Sequence, residues 1–93
     1  MVALNRAVAL AEVAGPAAAL AEVDGLDLGD YHVFHVVRAD LLRRLGRPVE
    51  AVVAYDAAIA RTANDVEREH LRRSRDRLAR HALVPLSRST DRP

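Results

Sequence analysis

The stretch His35-Val-Val-Arg-Ala-Asp-Leu-Leu-Arg-Arg-Leu-Gly-Arg-Pro-Val-Glu-Ala-Val-Val-Ala-Tyr-Asp-Ala-Ala-Ile-Ala60 decides the fold. Its first half carries apolar residues at Val36, Ala39, Leu42 and Leu45. On a 3.6-residue helix such a recurrence drifts slowly and forms one broad stripe that must be buried. Gly46 follows where a helix can close in a left-handed cap, and Pro48 stands in the first turn of the next helix, where a missing N–H costs nothing. That second helix presents Ala51, Val52, Tyr55, Ala58 and Ile59 on one face. The stretch therefore predicts a helical hairpin with a very tight turn.

Working outward, Gly15-Pro16 repeats the same punctuation, ending a helix over Val2 to Val13 and starting another over Pro16 to Val23. Ala7 matches Ala39, Leu10 matches Leu42, Val13 matches Leu45, Pro16 matches Pro48 and Ala19 matches Ala51, each pair 32 residues apart. Two helices per unit at a period of about 34 residues is the pattern of tetratricopeptide-type solenoids. Between the hairpins, Asp24 to Asp30 is a turn-rich connector, with Asp30 the expected N-cap of a helix from Tyr31 to Leu45. Asn64 is the expected cap of a last helix, with Glu67 as its capping-box partner and Val66, Leu71, Leu78 and Ala82 as its apolar marks. Pro85 is expected to end that helix. The expected fold class is all-α: tetratricopeptide-like helical hairpins, about five antiparallel helices in a short solenoid over residues 1–84, then a flexible C-terminal tail over residues 85–93.

Composition agrees with one small domain. Aromatic residues make up only 3% of the chain, so Ala, Val and Leu must fill the core, which favours closely packed helices. The absence of cysteine removes disulfides and thiolate zinc sites and fits a reducing, cytoplasmic setting. Asn5, Arg6 and Glu12 interrupt the N-terminal apolar run, which reads as neither a signal peptide nor a membrane span. The N-terminal helix, apolar on nearly every other side, is expected to pair two copies of the chain as a homodimer. Charge is uneven: residues 1–60 hold five Arg against eight acids, whereas residues 61–93 hold nine Arg against five.

The sequence offers no constellation for catalysis. His32 and His35 can share a helix face, but two ligands fall short of the three that a catalytic zinc site needs, so no metal is expected. Gly25 and Gly29 lack the Lys-Ser/Thr context of a phosphate-binding loop, and Asp24 and Asp27 suit a turn. Neither an enzyme nor a cofactor is expected. Arg68, Arg72, Arg73, Arg75, Arg77 and Arg80 make the last helix basic, yet Glu67, Glu69 and Asp76 are interleaved, and Glu69 precedes Arg73 by one helical turn. A self-paired, solvated face is expected there, rather than direct nucleic-acid contact.

The segment from Ala39 to Asn64 resembles the tetratricopeptide consensus, with Ala39, Leu42, Gly46, Ala51, Tyr55 and Ala58 at its small and large positions. A narrower resemblance covers most of the chain. Leu4-Asn-Arg-Ala-Val-Ala9, Gly15-Pro-Ala17, Asp30-Tyr-His-Val-Phe-His35, Arg38-Ala-Asp-Leu-Leu-Arg-Arg-Leu-Gly-Arg47 and Asn64-Asp-Val-Glu-Arg-Glu-His-Leu-Arg-Arg73 are similar to the C-terminal tetratricopeptide-like extension of bacterial extracytoplasmic-function RNA polymerase sigma factors. This resemblance implies a non-catalytic accessory module that contacts protein, either the sigma-factor core domains or RNA polymerase, and so modulates transcription initiation. It also implies that the first helix of each hairpin lines an inner groove, which makes Asn5, Arg6, Asp40, Arg43 and Arg44 the expected partner-binding residues. Against that, Arg38 and Asp40 can simply pair with neighbouring helices. Two further expectations remain: a free-standing peptide-binding adaptor, and a nucleic-acid accessory that uses the basic helix.

Overall fold

The structure, a computed structural model, describes residues 2–91, with side chains from Ala3 to Arg80. Five helices follow the Gly/Pro punctuation: α1 (Val2–Ala14), α2 (Pro16–Asp24), α3 (His32–Arg44), α4 (Pro48–Arg61) and α5 (Asp65–Asp91). No strand occurs among the described residues. Each helix packs on the next one in the chain, and α1 also reaches α3. No described helix is long and apolar enough to cross a membrane.

A single core threads this row of helices. It is built from Leu4, Ala7 and Ala11 of α1; Ala19, Leu20 and Val23 of α2; and Phe34, Ala39, Leu41 and Leu42 of α3. Ala51, Ala54, Tyr55 and Ala58 of α4 and Leu71 of α5 complete it. Seven of these fifteen residues are alanine, most of them on α1 and α4, which lets backbones approach closely there. The expected stripe on α3 is present but incomplete: Ala39 and Leu42 are fully buried and Val36 and Leu45 half-buried, while Phe34 and Leu41 are buried as well. The reason is position, since α3 packs against both α2 and α4 and so buries two sides.

The turn between α3 and α4 closes as its residues require. Gly46 has φ 72°, its N–H donates to the Arg43 carbonyl at 3.0 Å, and the Arg47 N–H donates to the Leu42 carbonyl at 3.0 Å. These paired bonds form the Schellman closure, which satisfies carbonyls that a helix end would otherwise leave bare. Pro48 then opens α4 at its first turn.

Four expectations about the elements need correction or limits. Asp30 does not cap α3; the cap position is the extended Tyr31, with no side-chain cap bond. Tyr31 packs half-buried against the core and its N–H donates to the Leu28 carbonyl at 3.0 Å, so packing sets where the helix begins. Val66 is not a core residue but 81% exposed. Leu71 and Leu78 define the packed face of α5, and Val66, five residues before Leu71, falls on the far side. The helix does not stop at Pro85, because α5 runs through it to Asp91. A proline inside a helix removes one hydrogen bond at a cost of about 3 kcal/mol, which weakens a helix without forbidding it. The Ala82 side chain, and Arg92 and Pro93, lie outside the described residues.

Candidate partner-binding groove

At the start of α5, Asn64 accepts a hydrogen bond from the Glu67 N–H at 2.9 Å, so the expected N-cap is present. The reciprocal half of the capping box is rerouted. The Asn64 N–H donates to the Thr62 hydroxyl oxygen at 3.3 Å, and the Thr62 hydroxyl donates to Glu67 Oε1 at 2.6 Å. Glu67 also meets His32 Nε2 at 2.9 Å, and Arg68 Nη2 donates to the Thr62 carbonyl at 2.6 Å. Thr62, only 3% exposed, is therefore fully engaged, and this network fixes how α5 leaves α4 and reaches back to α3.

That fixed exit angle creates a groove. A cavity of about 390 Å³ is lined by Asp40 and Arg43 of α3, Tyr55 of α4, and Ser74, Arg77 and Leu78 of α5. Asp40 holds its wall through two ion pairs, with Arg43 Nη2 at 2.6 Å and Arg44 Nε at 3.0 Å. The hydrogen bond to Asp40 holds the Arg43 guanidinium above its ordinary range, so its charge is constant. Burial, followed by the nearby Asp40 charge, pushes the Tyr55 phenol up, so it remains a neutral donor at physiological pH.

The five expected partner-binding residues separate into three groups. Asp40 and Arg43 line the groove. Arg44 stands beside them, binding Asp40 and reaching Glu12 of α1 at 3.5 Å, and so links the first hairpin to the second. Asn5 and Arg6 are exposed on α1 and line no part of this groove. Arg38 pairs instead with Asp24 at 2.7 Å across the connector.

Tyr55, Ser74, Arg77 and Leu78 were not among the expected groove residues. In the sequence Tyr55 marks the packed face of α4 and a tetratricopeptide-like position, not a groove. Leu71, Ser74 and Leu78 recur at helical spacing on one face of α5, and that placement of a hydroxyl was the available signal.

Self-pairing describes part of the basic helix. Arg68 pairs with Asp65, Arg73 with Glu69 at 3.3 Å, and Arg75 with Asp56 at 2.8 Å and Asp76 at 3.0 Å. The two histidines point to different tasks: His32 meets Glu67, while His35 Nε2 lies 2.7 Å from the Gly29 carbonyl. Among the described residues, no three His, Cys, Asp or Glu side chains gather as a metal set.

Against known proteins, the chain is 46% identical over 81 residues to an uncharacterized protein of Rhizobium meliloti, a match covering 85% of this chain and 19% of that protein. The chain thus spans about a fifth of the length of the curated relative it matches. No protein-family model matches the chain, and no solved structure matches it.

Proposed function

We propose that the chain is a non-catalytic, tetratricopeptide-like interaction module, the accessory C-terminal part of an extracytoplasmic-function RNA polymerase sigma factor. In this role the α3–α5 groove docks on the sigma core domains or on polymerase and modulates transcription initiation. The observation that carries it is the groove itself, gathered from three successive helices in a stack where each packs on its chain neighbour. Short helical solenoids use concave walls of this kind to hold protein segments. The match to a stretch within a much longer protein supports a module of a larger chain. A module with this role works in the cytoplasm, beside polymerase. Val8 and Val13, exposed on α1, offer a separate contact between two copies, which light scattering at high concentration would register as a doubled mass.

Fluorescence titration of the labelled chain with polymerase core and with sigma core domains from the same organism tests the proposal. Saturable binding to either supports it, and absence of binding to both overturns it. If a short peptide occupies the groove while neither polymerase nor sigma binds, the chain is a free-standing adaptor instead.

A further inference from the structure

The charges around the groove specify the chemistry of its occupant. Asp40, the carboxylate among its lining residues, is already neutralised by Arg43 and Arg44. Arg77 on the facing wall has no ion-pair partner among the described residues, although Arg68, Arg73 and Arg75 of the same helix are all paired. The lining therefore carries a guanidinium in excess. Tyr55 is only 8% exposed, yet no buried side-chain polar atom among the described residues lacks a partner. Tyr55 lines the groove, and its hydroxyl makes no hydrogen bond within the described residues. Ser74 adds a second hydroxyl, and Leu78 supplies an apolar edge.

We infer that this groove binds an acidic side chain, Asp or Glu with an apolar residue beside it, on a protein partner; this rests on reading the chain as an interaction module. The fork of N–H groups on Arg77 matches a carboxylate in two parallel bonds. Tyr55 and Ser74 donate from the floor and the adjoining wall, while Leu78 covers the neighbouring apolar group. A cavity of about 390 Å³ accommodates one such side chain and its neighbour. Nucleic acid fits less well, because the lining offers one guanidinium without an ion pair among the described residues, rather than the row of cations that a line of phosphates engages.

The test is a nitrogen-15 NMR titration of the full chain with three probes: a short peptide containing Glu-Leu-Glu, the same peptide with Gln in place of both Glu, and a DNA duplex. Expected are shifts of the Arg77 and Arg43 side-chain N–H signals with the acidic peptide and much weaker ones with the Gln peptide. In Arg77→Ala, dissociation constants should rise about tenfold or more, the usual effect of losing a charge-assisted hydrogen bond. Arg72→Ala, exposed and outside the groove, should bind as the parent does. Equal binding of both peptides, unchanged binding by Arg77→Ala, or an Arg77-dependent response only to DNA overturns the inference. Because Arg77 has no ion-pair partner among the described residues, an unchanged melting temperature in Arg77→Ala separates lost binding from lost folding. Should polymerase or sigma still bind Arg77→Ala at full strength, the acidic-side-chain pocket is refuted while the docking proposal stands; acidic-peptide binding without any polymerase or sigma binding has the opposite outcome.

Discussion

The two hairpins share a 32-residue echo, but only the positions that face a partner helix are kept in the same environment. Ala7 and Ala39 are both completely buried, as are Ala19 and Ala51. Val13 and Leu45 occupy matching places and differ sharply: Val13 is 88% exposed, whereas Leu45 packs half-buried against the core. The turns differ too. Gly15 alone separates α1 from α2 at φ 95° and ψ 163°, while Leu45, Gly46 and Arg47 separate α3 from α4. The difference reflects crowding. Helix α3 lies between α2 and α4, and α1 packs on α2 with a smaller reach to α3, so its far side stays exposed. A helix crossing constrains side-chain size, while a free flank leaves it open.

The largest expected effect tests that crowding directly. Leu42→Ala should cost about 2–5 kcal/mol as a fully buried truncation, and the matching Leu10→Ala should cost clearly less, because Leu10 is only partly buried. Urea unfolding of both variants is the measurement, and equal losses would erase the distinction between the hairpins. Next in size come the turns. Gly15 occupies a region of backbone space open essentially to glycine, so Gly15→Asn should cost about 1–3 kcal/mol. Gly46 sits in the left-handed cap that asparagine also adopts, so Gly46→Asn should cost less than about 1 kcal/mol. Thermal melts that rank these two the other way would refute the turn assignment.

Smaller still is the bridge between hairpins. Arg44→Ala removes an exposed contact to Glu12 and one of two to Asp40, and should shift stability by less than about 1 kcal/mol. A larger loss in chemical denaturation would mean that the first hairpin leans on this contact. The last prediction concerns pH. Glu50 is held below the usual carboxylate range by its two bonds from Arg47, both at 2.7 Å. A depressed carboxylate contributes stability above its unfolded value and loses that contribution as pH falls through the lowered folded value. NMR titration should therefore find Glu50 titrating below ordinary glutamate, and Arg47→Ala should return it upward.

Much of the architecture was legible because glycine and proline punctuate it. Gly15-Pro16 and Gly46-Arg47-Pro48 place both tight turns, and the small residues of α3 and α4 mark their facing sides. Asn64 was legible as a cap for the same local reason. What could not be read depends on long-range geometry. Val66 and Leu71 look alike as apolar marks until the Thr62 network fixes how α5 is rotated. Arg77 looked like one more solvated arginine, since nothing local shows that it faces Asp40 and Tyr55 across a groove. Asn5 and Arg6 looked equivalent to Asp40 and Arg43 because the echo relates their helices, whereas the groove forms only where α5 supplies a third wall.

The Gly29 carbonyl is met by His35 Nε2 at 2.7 Å and accepts a bond from Arg61 Nε at 2.8 Å, so one backbone oxygen ties the connector to α3 and α4 together. A side chain built at position 29 would meet nothing within 4 Å. The anchor is therefore heritable in an unusual sense: its two donors can drift, but no substitution deletes the acceptor, because every residue type carries the same oxygen. A change of connector length would move this oxygen away from both donors, whereas a substitution at position 29 leaves it in the chain.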